Sequence, residues 1–200
     1  TFTIPPSDLV GFNNVIDILV TIEYANFSIS DDLIGLRVFR SDEDVPTMSN
    51  FYRGDTHLHS MYTQNDAEVG LPLCATKEAA SVAGQDWITT TDHTSDMDNY
   101  GTTIQNNWLR IKNEAAALNL ADSSMMYITG LEVALNNSAD ELVHMLAYPN
   151  PQMPNAMPFL GDGNGDLVST SATIDNILTA MQTYDGFAYM AHPFATGDEL

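Results

Sequence analysis

The sequence predicts an α/β protein with a mainly parallel sheet or barrel, and three observations predict it. Strand patterns alternate with helix patterns through the last three quarters of the chain. Every histidine falls at or beside the end of a predicted strand. A separate stretch of period-two alternation precedes both. The chain has 5 histidines. They stand in Gly54-Asp55-Thr56-His57-Leu58-His59-Ser60, Thr91-Asp92-His93, Val143-His144-Met145 and Ala191-His192-Pro193, and none is left over.

The first element is a strand with one buried face, because Ile16, Ile18, Val20, Ile22 and Tyr24 alternate with Asp17, Leu19, Thr21 and Glu23. Ile34, Leu36 and Val38 alternate in the same way with Gly35, Arg37 and Phe39, and residues 25 to 32 join the two strands. Two strands do not make a stable unit alone. Residues 1–48 are therefore read as the end of an upstream β domain or a packing ribbon, and 49–200 as a second domain, with 41–50 linking them.

In the second domain Thr76 is placed to cap a helix, with Glu78 near its positive end, an Ala-rich body and a stop at Gly84. Trp87 to Thr91 reads as a strand ending at Asp92-His93. Ile104, Trp108, Ile111, Ala115 and Leu118 recur at helical spacing, and Met125 to Val133 is the next strand, carrying Glu132. Val143 to Tyr148 is a short strand containing His144. Ser171 or Thr173 caps a helix with Ile174, Ile177, Leu178 and Met181 on one face, and Phe187 to Ala191 is a strand ending at His192. Asp162-Gly163-Asn164-Gly165-Asp166 spaces its oxygens like half a calcium loop, but Leu167 and Thr173 stand where that loop needs glycine and glutamate, so it reads as a turn.

Parallel strands bring side chains from their carboxyl ends to one mouth, which is where these histidines would converge. Neutral imidazole is a nitrogen donor for borderline metals, and a His-X-His pair offers two nitrogens together. The charge balance points away from polyanions: 6 Lys and Arg against 27 Asp and Glu give a net charge of −21, which repels nucleic acid and anionic membranes. Neither is expected as a partner, and so acidic a surface suits a secreted or periplasmic setting. The single Cys74 excludes an internal disulfide. Arg53, Lys77, Arg110 and Lys112 are the cations available to anchor an anion downstream of the two first strands.

The Asp-X-His-X-His-Ser segment at Asp55 to Ser60 and the Thr91-Asp92-His93 segment resemble the polymerase and histidinol phosphatase (PHP) family, followed in order by Gly130-Leu131-Glu132, His144 and His192-Pro193. The resemblance spans residues 52 to 194. It implies a distorted seven-stranded β/α (TIM-like) barrel, incomplete in this chain and preceded by the short β segment. It further implies two or three divalent ions, zinc, manganese or iron. By matching position, His57, His59 and Glu132 would hold a first metal, Glu132, His144 and His192 a second, and Asp66 with His93 a third. Asp55 and Asp92 would orient imidazoles from behind. The implied activity is hydrolysis of a small-molecule phosphate ester by a hydroxide bridging the first two metals, with Glu132, His57, His59 and His192 as its catalytic core. Hydrolysis of carboxylic esters or amides at the same metals is the alternative, and a non-catalytic, metal-stabilised interaction module is the second. The family also ends its site with an Asp-X-His, which here would come from a carboxyl-terminal fragment or remainder that completes the barrel.

Overall fold

The computed structural model describes residues 15–22, 32–39, 47–63, 68, 70–98, 104–139, 141–150, 152–153, 155–161 and 173–193. Asp66, the 162–166 turn and Ser171 lie outside these residues. The chain divides into two compact units, Thr1–Ser49 and Asn50–Leu200. In the first, β1 (Val15–Ile22) pairs antiparallel with β2 (Asp32–Phe39), in register from Val15↔Phe39 to Ile22↔Asp32. Ile16 is buried and Ile18 half-buried while Val15, Asp17 and Leu19 are exposed, which is the alternation expected of a one-faced strand. Asp17 and Arg37 face each other across the ribbon, and the guanidinium Nε donates to Asp17 Oδ1 at 2.6 Å.

The second unit is a mixed five-stranded sheet in the order β3-β4-β5-β6-β7. Its strands are β3 (Gly54–Leu58), β4 (Trp87–His93), β5 (Met126–Asn136), β6 (Leu142–Tyr148) and β7 (Phe187–Met190). Among the described residues three helices of ten residues or more accompany it: α1 (Leu73–Val82), α3 (Ile104–Ala121) and α4 (Ile174–Thr183), with a single turn, α2 (Thr94–Asp98), after β4. Among the described residues no helix is long and apolar enough to cross a membrane.

This architecture overturns the expected seven-stranded TIM-like barrel. The sheet makes half a barrel in a largely β fold, and only β3, β4 and β5 run parallel; β5–β6 and β6–β7 are antiparallel. The cause is legible in the chain, since a parallel crossover needs about a dozen residues or more and only residues 137–141 separate β5 from β6. Asn137 builds that tight connection. Its Oδ1 accepts from Ala139 N and Glu141 N, and its own N donates to Glu141 O.

The core lies between the sheet and the helices, where Leu73, Ile88, Ile111, Leu131, Leu135 and Ile177 are fully buried or nearly so. Several local features fit the sequence. α1 stops where Gly84 takes φ 76°, a left-handed value open to glycine. Thr173 caps α4 by accepting from Asn176 N. Thr76, by contrast, is no cap. α1 begins earlier, after Pro72, so Thr76 sits inside the first turn and its hydroxyl donates back to Pro72 O. The opposite face of the sheet carries an apolar groove of about 550 Å³ lined by Trp87, Ile128, Tyr148 and Phe187 among others.

Two of the four candidate cations are structural. Lys77 Nζ donates to the carbonyls of Leu118 and Asp122, so it closes the carboxyl end of α3, and Lys112 Nζ donates to Asn155 O and Met157 O. Arg53 hydrogen-bonds Asp86 through its backbone N, and the Arg110 guanidinium lies over the Tyr62 ring.

One close approach positions the loop after β3. Ser60 and Leu71 form a parallel bridge, and a Cβ on Gly70 would strike the carbonyl groups of His59 and Ser60. Glu68 stands two residues before that glycine. Gly70→Ala is therefore expected to destabilise the metal-free protein by about 1–3 kcal/mol through overpacking, measured by urea denaturation. An unchanged midpoint would show that the loop can yield.

Candidate metal centre

Pairing places the donors. His57 sits in β3, beside a break in its pairing to β4 between Asp55 and Leu58, and His59 directly follows that strand. His93 ends β4 and pairs with Glu132 of β5, so the two lie in one row of the sheet. Because β6 runs antiparallel, His144 near its start pairs with Ala134 near the end of β5. His192 follows β7, and Ala191 N donates to His144 O at 2.9 Å. Reversing β6 therefore brings its beginning to the edge where β3, β4, β5 and β7 end. His192 holds φ 26°, a left-handed backbone that costs a non-glycine residue on the order of 1–3 kcal/mol.

The Glu132 carboxylate is fully buried at the centre of these imidazoles. Its Oε1 lies 2.8 Å from His144 Nδ1 and 3.1 Å from His192 Nε2. Its Oε2 lies 3.3 Å from His59 Nε2, 3.5 Å from His57 Nε2 and 3.7 Å from His93 Nδ1. Neighbouring rings touch in sequence around it, with centroids 5.2 Å apart for His57–His59, 4.7 Å for His59–His93, 5.0 Å for His93–His144, 5.2 Å for His144–His192 and 6.0 Å for His57–His192. The five rings thus close a circuit around one carboxylate.

The donor set fits a metal ion. Glu132 Oε2 and both ring nitrogens of His144 are buried without a hydrogen-bond partner among the described residues, and the 2.8 Å approach of His144 Nδ1 to Glu132 lacks hydrogen-bond alignment. Orphaned buried polar atoms of this kind cost on the order of 1–3 kcal/mol each. Donors about 2.0–2.1 Å from a tetrahedral ion stand about 3.3 Å from one another, and the contacts from 3.1 to 3.5 Å around Glu132 have that spacing. Among the described residues three groups of donors could hold an ion: His57, Glu132 and His192; His59, Glu68 and His93; and His93, Glu132 and His144.

Glu132 belongs to two of these groups, and His59 Nε2 lies nearer Glu132 Oε2, at 3.3 Å, than Glu68 Oε1, at 3.7 Å, so His57, His59 and Glu132 also stand together. Among the described residues, Glu68 is an acidic residue after the His-X-His, and its Oε2 is 2.8 Å from His93 Nε2 and its Oε1 3.7 Å from His59 Nε2. The sequence reading did not name Glu68; Asp66, which it named, lies outside the described residues. Asp55 and Asp92 touch no imidazole directly. Asp55 accepts from His57 N at 3.0 Å, and Asp92 accepts from Ser60 and Thr63. The groups that contact ligand rings are hydroxyls instead: Thr91 Oγ1 is 2.6 Å from His57 Nδ1, and Thr63 Oγ1 is 3.0 Å from His59 Nδ1.

Burial works against ionisation of Glu132, yet the adjoining imidazoles, His144 foremost and then His93 and His57, bring its carboxyl down to about 2. Burial also lowers His57, opposed by the attraction of Glu132 and assisted by repulsion from His59, His192 and His93. The centre is thus set for an anionic carboxylate beside a neutral His57, the forms that bind metal. No family model and no curated protein matches the chain.

Both shifts make the metal-free protein less stable in acid. His57 is lowered from 6.5, so the unfolded chain binds the extra proton as pH falls below that value, and stability declines from there. Glu132 is lowered from 4.5, so its contribution is present above 4.5 and is lost as pH falls toward about 2. Urea midpoints measured from pH 8 to 3 without metal should fall continuously below pH 6.5. In Glu132→Gln the decline below pH 4.5 should be shallower; an identical slope there would count against this account.

Proposed function

We propose that this chain is a metal-dependent hydrolase of small phosphate esters, working with two or three zinc, manganese or iron ions. The observation that carries the reading is the closed circuit of five imidazoles about the buried Glu132 carboxylate. The likeness of Asp55 to Ser60 and Thr91 to His93 to the PHP family supports the same chemistry. Divalent ions supply Lewis acidity toward a phosphoryl oxygen and acidify a bound water.

The residues divide the work by exposure. Glu132, His93 and His144 are buried, so they form the permanent floor of the centre. His57 and His192 are 28% and 35% exposed at the side chain, so their group is the one a substrate reaches. Glu132 belongs to two of the groups and would supply negative charge to an ion held in either. Neutral His57 leaves Nε2 available as a donor.

Carboxylic ester or amide hydrolysis is the second reading, and one observation favours it. Lys77 and Lys112 are committed to backbone carbonyls, Arg53 to Asp86 and Arg110 to an aromatic ring, so these cations are engaged away from the histidines. A phosphate would be held by the ions alone, whereas a carbonyl substrate needs no such anchor.

The test is to load the protein with zinc or manganese and assay nitrophenyl phosphate, bis-nitrophenyl phosphate and nitrophenyl acetate in parallel. Phosphate-ester turnover should fall more than about 100-fold in Glu132→Gln, beyond what outer partners of a metal contribute, together with metal content and with the circular dichroism spectrum unchanged. Acetate turnover alone would establish the second reading. Full metal content without turnover on any of the three would overturn both and leave a binding site.

A further inference from the structure

We infer that Thr63 is a positioning residue that fixes the tautomer of His59, so that Nδ1 carries the proton and Nε2 is turned, as a bare donor, toward Glu68 and Glu132. The inference rests on the metal-site reading for its purpose, and on hydrogen-bond counting for its content.

Thr63 is 2% exposed and its Oγ1 meets three groups: Asp92 Oδ1 at 3.0 Å, His59 Nδ1 at 3.0 Å and the backbone N of His93 at 3.3 Å. A hydroxyl has one hydrogen to give and two lone pairs to accept with. The His93 amide can only donate, which uses one lone pair. Asp92 is 1% exposed and acts as an acceptor throughout, taking Ser60 N at 2.6 Å, Ser60 Oγ at 2.7 Å and the Thr63 hydroxyl. Ser60 does not relieve it of that role, because its own oxygen accepts from Tyr62 N while its hydrogen goes to Asp92.

The Thr63 hydrogen is therefore spent on Asp92, and only a lone pair remains for His59. His59 Nδ1 must donate. In a neutral imidazole the other nitrogen then carries no proton, and that nitrogen, Nε2, is the atom 3.3 Å from Glu132 Oε2 and 3.7 Å from Glu68 Oε1. Asp92 thus acts on the ring at one remove. The same hydroxyl that sets His59 also holds the His93 backbone, so it fixes two members of the group formed with Glu68.

The tautomer is read without any variant by long-range ¹H–¹⁵N NMR of the imidazoles in metal-free protein near pH 8. His59 should show protonated Nδ1 and unprotonated Nε2; a dominant Nε2–H signal overturns the inference. Thr63→Ser keeps the hydroxyl and should keep this pattern, with zinc affinity within about threefold of the original. Thr63→Val removes it and should mix the tautomers and weaken zinc about 10–100-fold by competition with a chelating dye, the usual effect of losing a ligand's outer partner. Wild-type zinc affinity in a folded Thr63→Val protein would overturn the positioning role. If the original protein binds no zinc, the metal reading fails by itself, and the NMR pattern and its loss in Thr63→Val still uphold the tautomer.

Discussion

A carboxylate with no exposure to water, ringed by five imidazoles, is the constraint on which the rest of this half-barrel depends. Moving an ionised carboxyl into a protein interior costs several kcal/mol unless charge or hydrogen bonds compensate. Here compensation comes from nitrogens contributed by four separate strands or their ends, so the carboxylate is tolerable only when all of them are in register. Glu132 sits in the middle strand of the sheet, paired to His93 on one side and to Leu146 on the other. The most costly residue is thus held by the most constrained backbone.

Direction matters as much as register. With β6 parallel to β5, the beginning of β6 would lie beside the beginning of β5, and His144 would be displaced by most of a strand length from Glu132. The antiparallel pairing forced by the short 137–141 connection cancels that displacement. Glycine does comparable work across the sheet. A Cβ on Gly130 would come within 2.8 Å of Ala147 O and 3.0 Å of Thr91 Cγ2, so its absence lets β4, β5 and β6 pack closely one step below Glu132.

Much of this was legible from periodicity. Apart from β3, the described strands and the three longer helices fall where period-two alternation, such as Ile16 to Ile22, or helical spacing, such as Trp108 to Leu118, put them; β3 was marked only by its histidines. The histidines and Glu132 were legible as donors because imidazole and carboxylate in strand-end motifs have few other reasons to recur together. What failed was connectivity. Resemblance supplied a seven-stranded barrel, while the physical limit on a five-residue connection pointed to a hairpin. Glu68 also escaped, because nothing in the spacing shows which acidic side chain after the His-X-His approaches His93. Thr63 escaped for the same reason: a threonine four residues after His59 has no signal until its three partners are seen around one oxygen.

That hydroxyls, and not Asp55 or Asp92, touch the ligand rings has an electrostatic consequence. A carboxylate against an imidazole raises its proton affinity, and a proton competes directly with metal. Interposing Thr63 between Asp92 and His59 keeps the orienting effect of the charge while placing the charge one group further from the ring. Two carboxylates, Glu132 and Glu68, already face these nitrogens, in a chain whose net charge is −21. On the proposed hydrolase reading, an anionic substrate would meet repulsion from these carboxylates until cations neutralised them. On that reading, loading with metal would precede acceptance of an anion, the first creating the potential that the second requires.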